Sequence, residues 1–181
     1  LLIGLGAGGV SLLWLNFAEA IQNSIPALQS SYDTFNSEMG AFEQGDYIWM
    51  LLTVSVIGPL VEELLFRGLV FHLFERSFKS ERAAIILSAL LFGIWHEIFV
   101  QSVYTFMIGL ILGYLYAKTR KIIWPFLVHL VNNFSGTLPP GFDGEFANLL
   151  VNLASLICIP VLFILLWRME KNTKQIEKTL P

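Results

Sequence analysis

The sequence predicts an all-α, polytopic membrane protein with about six transmembrane helices, and three observations carry that expectation. Of its 181 residues, 55% are hydrophobic and 14% charged, against about 25% charged in ordinary globular chains. Mean hydropathy is +0.66, and several apolar runs approach the ~20 residues a helix needs to cross a bilayer. The remaining charges are segregated: all eleven Lys and Arg lie within Arg67–Arg82, Lys118–Lys121 or Arg168–Lys178. A soluble domain of this size could not cover so many long apolar segments.

Taken in order, the predicted spans are 1–21, 47–71, 83–99, 102–118, 122–138 and 147–167, in a single membrane-embedded domain covering 1–181. The first has no basic flank and no clear cleavage site, so it does not read as a signal peptide. The chain opens Leu1-Leu2-Ile3 without Met, which predicts a piece of a longer protein. Residues 22–46 are rich in Ser, Asn, Gln and acids, and read as a surface loop or a short amphipathic segment at the interface. Trp49, Trp124 and Trp167 near span ends suit interfacial anchoring. Pro59 is placed to bend the second span. Short connections at 97–102 and 119–121 predict antiparallel hairpins, and Gly93, Gly109 and Gly113 suit close helix approach. Cys158, the single cysteine, excludes an intrachain disulfide and reads as a packing residue. The polar end, 168–181, reads as a tail in water near headgroups.

Alternating these spans gives a consistency test. With the first span leaving the cytoplasm, every basic cluster and the C-terminus fall inside. The acidic stretches Glu19–Asp46 and Asp143–Glu145 fall outside. That is the distribution the positive-inside rule requires, and it predicts a multi-pass integral membrane protein. No basic stripe interleaved with aromatics is present, so nucleic acid is not an expected partner. Membrane lipids are.

Three segments put protonatable side chains where hydrocarbon is expected: Glu62-Glu63-x-x-x-Arg67, Phe92-x-x-x-His96 and His129-x-x-x-Asn133. Such residues are costly in lipid and mark functional sites by default. Glu63 and Arg67, at i and i+4, share a helix face and can pair. Glu62 is turned about 100° away, which leaves Glu63 as the support and Glu62 as the reactive group. Phe92 shares a face with His96, and His129 with Asn133. Singly, each motif fits a juxtamembrane charge cluster, an interfacial histidine or helix–helix hydrogen bonding. Together they supply the parts for hydrolysis: Glu62 as base, His96 to orient water or pass protons, His129 and Asn133 as oxyanion donors. Glu62, His96 and His129 could instead be ligands of a catalytic zinc ion, so no cofactor or Zn²⁺ both remain open. HExxH is absent, there is no GxSxG serine elbow, and the only aspartates, Asp33, Asp46 and Asp143, lie in expected loops.

In order and spacing, EELLFRG, FGIWH and HLVNN resemble the three motifs of the CPBP family, the CAAX-prenyl-protease-type and Abi-type intramembrane endopeptidases. The resemblance covers Glu62 to Asn133 and meets every polar position of the pattern, so 47–138 reads as the catalytic core. It implies a helical fold with a cavity inside the bundle. It carries over Glu62, His96, His129 and Asn133 as catalytic residues, with Glu63 and Arg67 in support. It also implies an endopeptidase acting on a membrane-associated peptide or a lipid-modified protein tail, with bacteriocin or signalling-peptide processing or self-immunity as roles. The family has been described both as metalloproteases and as glutamate-activated enzymes without metal; four polar groups suffice for the second. Two other readings fit the residues: a proton-coupled transporter using Glu62, His96 and His129 as a relay, and a peptide-binding immunity protein that does not cleave.

Overall fold

A computed structural model describes residues 1–179, and their side chains except those at 42–43 and 173–179. The described residues form helices joined by short connections: α1 (Leu2–Ile21), α2 (Pro26–Glu43), α3 (Tyr47–Phe78), α4 (Glu81–Trp95), α5 (Phe99–Thr119), α6 (Ile123–Ser135) and α7 (Glu145–Thr179). No strand occurs among them. The protein is an all-α polytopic membrane protein, and its exposed surface is that of a chain solvated by lipid. Leu13, Trp49, Leu64, Leu73, Ile86, Ile94, Ile157 and Phe163 all face outward, more apolar surface than water tolerates.

Helix lengths depart from the expected spans. Among the described residues, four helices are long and apolar enough to cross a bilayer: Leu2–Ser24, Tyr47–Phe78, Phe99–Thr119 and Glu145–Asn172. The other two motif-bearing helices are shorter, at 15 residues for α4 and 13 for α6. Their apolar runs continue past the helix ends, but Glu97 adopts positive φ (59°) and Ile98 is extended, which stops α4 at Trp95. The region expected as a loop or amphipathic segment holds the 18-residue α2. The helix of the last span runs on through Thr179, so residues 168–179 of the expected tail are helical. Pro181 and the side chains of Lys174 and Lys178 lie outside the described residues.

α3 is one long helix with two widened turns. Residues Leu51–Ile57 and Phe66–Val70 are π-helical, on either side of the α-helical turns from Gly58 to Leu65. Pro59 has no N–H to give to a carbonyl four residues back, and its ring crowds that carbonyl. The wider register relieves both, and Gly58 N–H bonds Thr53 O, five residues back. A Cβ at Gly58 would stand 2.5 Å from that oxygen, so no larger residue fits the turn. Pro59 is thus absorbed without breaking the helix.

α5 is the axis of the bundle. Ile108, Ile111, Leu112 and Leu115 pack with Ala7 of α1, Val128 of α6 and Leu162 of α7. α1 and α7 approach closely because a Cβ at Gly9 would lie 2.4 Å from Ser155 O, a small-residue contact of the kind that drives association in lipid. Cys158 is buried and unpaired on the same helix. α4 and α5 form the expected antiparallel hairpin, with Ala89 Cα 3.0 Å from where a Gly109 Cβ would be. α2 lies across the start of α5, where Ser31 Oγ accepts the Val100 N–H at 2.9 Å and Trp14 Nε1 donates to Val100 O at 2.8 Å. At the opposite end, Arg120 forks onto Glu75 at 2.9 and 2.6 Å, and Lys118 meets Glu81 and Glu170. Together these tie α3, α4, α5 and α7.

Candidate active site

Glu63 and Arg67 face inward from successive turns of α3, and both are 0% exposed. Arg67 Nη1 donates to Glu63 Oε1 at 2.9 Å, the i, i+4 pairing that the spacing predicts. Nη2 donates to the carbonyl of Gly109 at 3.0 Å, and the guanidinium carbon lies 4.9 Å from the centre of the Phe92 ring. Two ions in the interior cost free energy unless well engaged, and the engagement is strong but incomplete: Glu63 Oε2 and Arg67 Nε have no hydrogen-bond partner among the described residues. Here the guanidinium spans three helices. The absence of a side chain at Gly109 lets α4 and α5 close up and leaves its carbonyl within reach of Arg67.

Glu63 also holds the third helix. His129 of α6 is buried, and its Nδ1 lies 3.0 Å from the same Glu63 Oε1. A carboxylate paired with arginine accepts, so Nδ1 carries the hydrogen and Nε2 is left as an acceptor. That nitrogen faces Glu62 Oε2 at 3.6 Å, beyond hydrogen-bond distance. Glu62, rotated off the Glu63 face as helical geometry requires, has a side chain 24% exposed. The adjacent glutamates therefore occupy different environments, one sealed and doubly bonded, the other open to solvent or substrate.

Phe92 organises the remainder. Its buried ring meets Phe66, His96 and His129 edge to face, with centroids 5.0, 4.9 and 5.7 Å away. It stands between the two histidines and fixes both planes. His96 caps the end of α4, where its Nδ1 donates to Phe92 O at 2.8 Å, leaving Nε2 as acceptor. No direct hydrogen bond joins His96 to Glu62 or His129 among the described residues.

Asn133 is engaged differently from the expectation. Its Nδ2 donates to Val54 O at 2.8 Å, and its Oδ1 accepts from Asn132 Nδ2 at 2.9 Å. The carbonyl of Val54 is available because, in the π register of this stretch, the residue five positions on is Pro59, which has no N–H to give. Thr137 reinforces the same join: its Oγ1 donates to Asn133 O and lies 2.9 Å from Ser55 Oγ, while Tyr47 OH bonds Thr137 O. Sequence reasoning missed Asn132, Ser55, Thr137 and the Val54 carbonyl. Only the second Asn of HLVNN stands at i, i+4 from His129, and a main-chain acceptor has no sequence signature beyond Pro59, which produces the π register.

The structure thus brings Glu62, Glu63, Arg67 and His129 into one chain of contacts, sets His96 against it through Phe92, and turns one N–H of Asn133 to α3. A catalytic zinc would need three protein ligands converging on one point. Among the described residues no three His, Cys, Asp or Glu side chains form such a group, the expected Glu62, His96 and His129 included. The donor set as arranged does not fit the ion, and no chemical step is routed through a metal here. A cavity of about 540 Å³ lies beside Asn133, lined by Met39, Tyr47, Met50, Val54, Thr137 and Leu138 among others.

The family model described as Rce1-like type II CAAX prenyl endopeptidase matches residues 44–135, 92 of the 181. The chain is 32% identical over 85 residues to YdiL of Bacillus subtilis (strain 168), named a candidate membrane peptidase. It is also 32% identical over 85 residues to MroQ of Staphylococcus aureus (strain USA300), named a membrane-embedded CAAX protease. These alignments cover 46% and 44% of this chain and 34% of each relative, so the chain matches about a third of the length of its curated relatives. No solved structure matches.

Proposed function

This chain belongs to the Rce1-like type II CAAX prenyl endopeptidase family, and from that premise we propose that it is an intramembrane endopeptidase in which Glu62 activates water. The observation that carries the reading is the His129 imidazole set between two unequal carboxylates, Glu63 at 3.0 Å and Glu62 at 3.6 Å. Glu63, locked to Arg67, fixes the tautomer and plane of His129. Glu62, partly exposed and without a cationic partner of its own, is free to take a proton from water as that water attacks a peptide carbonyl. His96 Nε2 is the second acceptor facing this region and orients the water or passes the proton to the leaving amine. The second N–H of Asn133 is a donor for the developing oxyanion, and the imidazole of His129 becomes one at Nε2 when it takes up a proton by way of Glu62.

No metal takes part in this scheme. The substrate is a membrane-associated peptide or protein tail, lipid-modified or not; the names of the relatives, membrane peptidase and CAAX protease, support that class. The basic loops and C-terminus lie in the cytoplasm on this reading, as their charge requires.

A proton relay is the second reading, because Glu62, His129, Glu63 and Arg67 form a continuous polar chain. It is the weaker one: the chain ends on Arg67, 0% exposed and bonded to a helix carbonyl, with no onward acceptor for a proton. The deciding experiment is peptide hydrolysis by the purified full-length protein with Glu62→Gln and His96→Ala. Retention of wild-type rates in either would remove that residue from the chemistry. Proton flux in liposomes without hydrolysis would favour the relay.

A further inference from the structure

The cavity of about 540 Å³ is bounded by Met39 of α2, by Tyr47, Met50 and Val54 of α3, and by Thr137 and Leu138 after α6. Two of its walls are bonded to Asn133: Val54 through its carbonyl to the side chain, Thr137 through its hydroxyl to the main chain. Asn133 is one helical turn from His129, a step of about 6 Å. The cavity therefore abuts the site from the side where α4 and α6 end, away from every Lys and Arg cluster.

Its charge is one-sided. No Lys or Arg occurs in residues 1–66 or 122–167, and all lining residues come from those segments. Asp143 lines the mouth, and Asp46, next to the lining Gly45, is exposed. Met39, Met50, Val54 and Leu138 give the cavity an apolar wall, and Tyr47, Thr137, Asp143 and Asn148 a polar one. Resting on the endopeptidase reading, we infer that this cavity is the substrate subsite, that it takes an apolar peptide side chain flanked by a positively charged residue, and that the peptide enters from the acid-bearing end of the bundle.

Two benzophenone-bearing peptides, identical except for Lys or Glu beside one leucine, test this with the full-length protein in liposomes. Cross-linking and cleavage are read separately. The Lys peptide is expected to label the wall containing Met39, Met50 and Leu138, with a preference of about threefold over the Glu peptide, as one exposed charge pair allows. Asp143→Lys, on an exposed connection, reverses the preference, and 1 M salt erases it. Met50→Trp fills the cavity and lowers labelling by about tenfold or more. Equal labelling by both peptides, or labelling indifferent to both substitutions, overturns the inference. A peptide that labels the cavity but is never cleaved sinks the endopeptidase reading and leaves the subsite standing. Cleavage that depends on Glu62 without labelling of this wall does the reverse.

Discussion

Glu62 and Glu63, neighbours in sequence, end on opposite nitrogens of one imidazole: Glu63 lies 3.0 Å from His129 Nδ1 and Glu62 3.6 Å from Nε2. Their 100° separation on α3 becomes a separation of environments, Glu63 sealed and Glu62 partly exposed. Substituting them should therefore give two different phenotypes. Glu62→Gln is expected to reduce kcat on the order of 10²–10⁴-fold, the usual worth of a positioned base, while thermal unfolding in detergent is unchanged. Loss of folding in this variant would place Glu62 in the scaffold instead.

Removing Glu63 should act on the fold before it acts on rate. Glu63→Ala leaves Arg67 charged and fully buried, and breaking such a pair costs about 3–5 kcal/mol. The unfolding midpoint should fall steeply. Arg67→Lys should be nearly as damaging, because one ammonium cannot fork between Glu63 and the Gly109 carbonyl and lie against Phe92 as the guanidinium does. A lysine variant with the wild-type unfolding midpoint would show that the fork is dispensable.

Asn132→Ala and Thr137→Val test the join that holds Asn133. Asn132→Ala removes one neutral hydrogen bond and Thr137→Val two, each worth about 1 kcal/mol, and each variant should lower kcat by about tenfold or less with KM little changed. Asn133→Ala should cost more than either, since it removes the donor itself. Equal losses in all three would mean that the network supports the helix and not the reaction.

Metal content gives an independent check. The arrangement of Glu62, His96 and His129 does not form a three-ligand group, so the purified protein is expected to hold less than one zinc per chain and to keep its activity after chelation. Stoichiometric zinc that is lost together with activity would recast these side chains as ligands.

Much of this was legible in the residues, and what was not has identifiable physical causes. The i, i+4 spacing of Glu63 and Arg67 gave the ion pair, because helix geometry alone brings those side chains together. The Glu63–His129 contact could not be read, since it depends on how α3 and α6 are rotated about their axes. The π-helical turns escape a reading at 3.6 residues per turn, and with them the Val54 carbonyl that turns Asn133 aside. Spans 83–99 and 122–138 look long because Ile98, Phe99 and Leu138 prolong their apolar runs, yet main-chain turns end both helices earlier. A composition rich in Ser, Asn, Gln and acids hid the helix at Pro26–Glu43, whose Leu28 packs with Ala18 and Val100.

The shortness of α4 and α6 has a consequence for the reaction's other reagent. Helices of 15 and 13 residues reach about 20 Å, against a hydrocarbon layer of ~30 Å. Lipid around them must thin, or leave a dent that fills from the aqueous phase. At the ends carrying His96 and Asn133, such a dent would bring water beside both side chains. On the proposed endopeptidase reading, hydrolysis inside the membrane is limited by the supply of water, and such a dent would deliver it. The rate should therefore follow acyl-chain length, rising in thin bilayers and falling in thick ones, with the lipid acting as a throttle on an enzyme it never touches chemically.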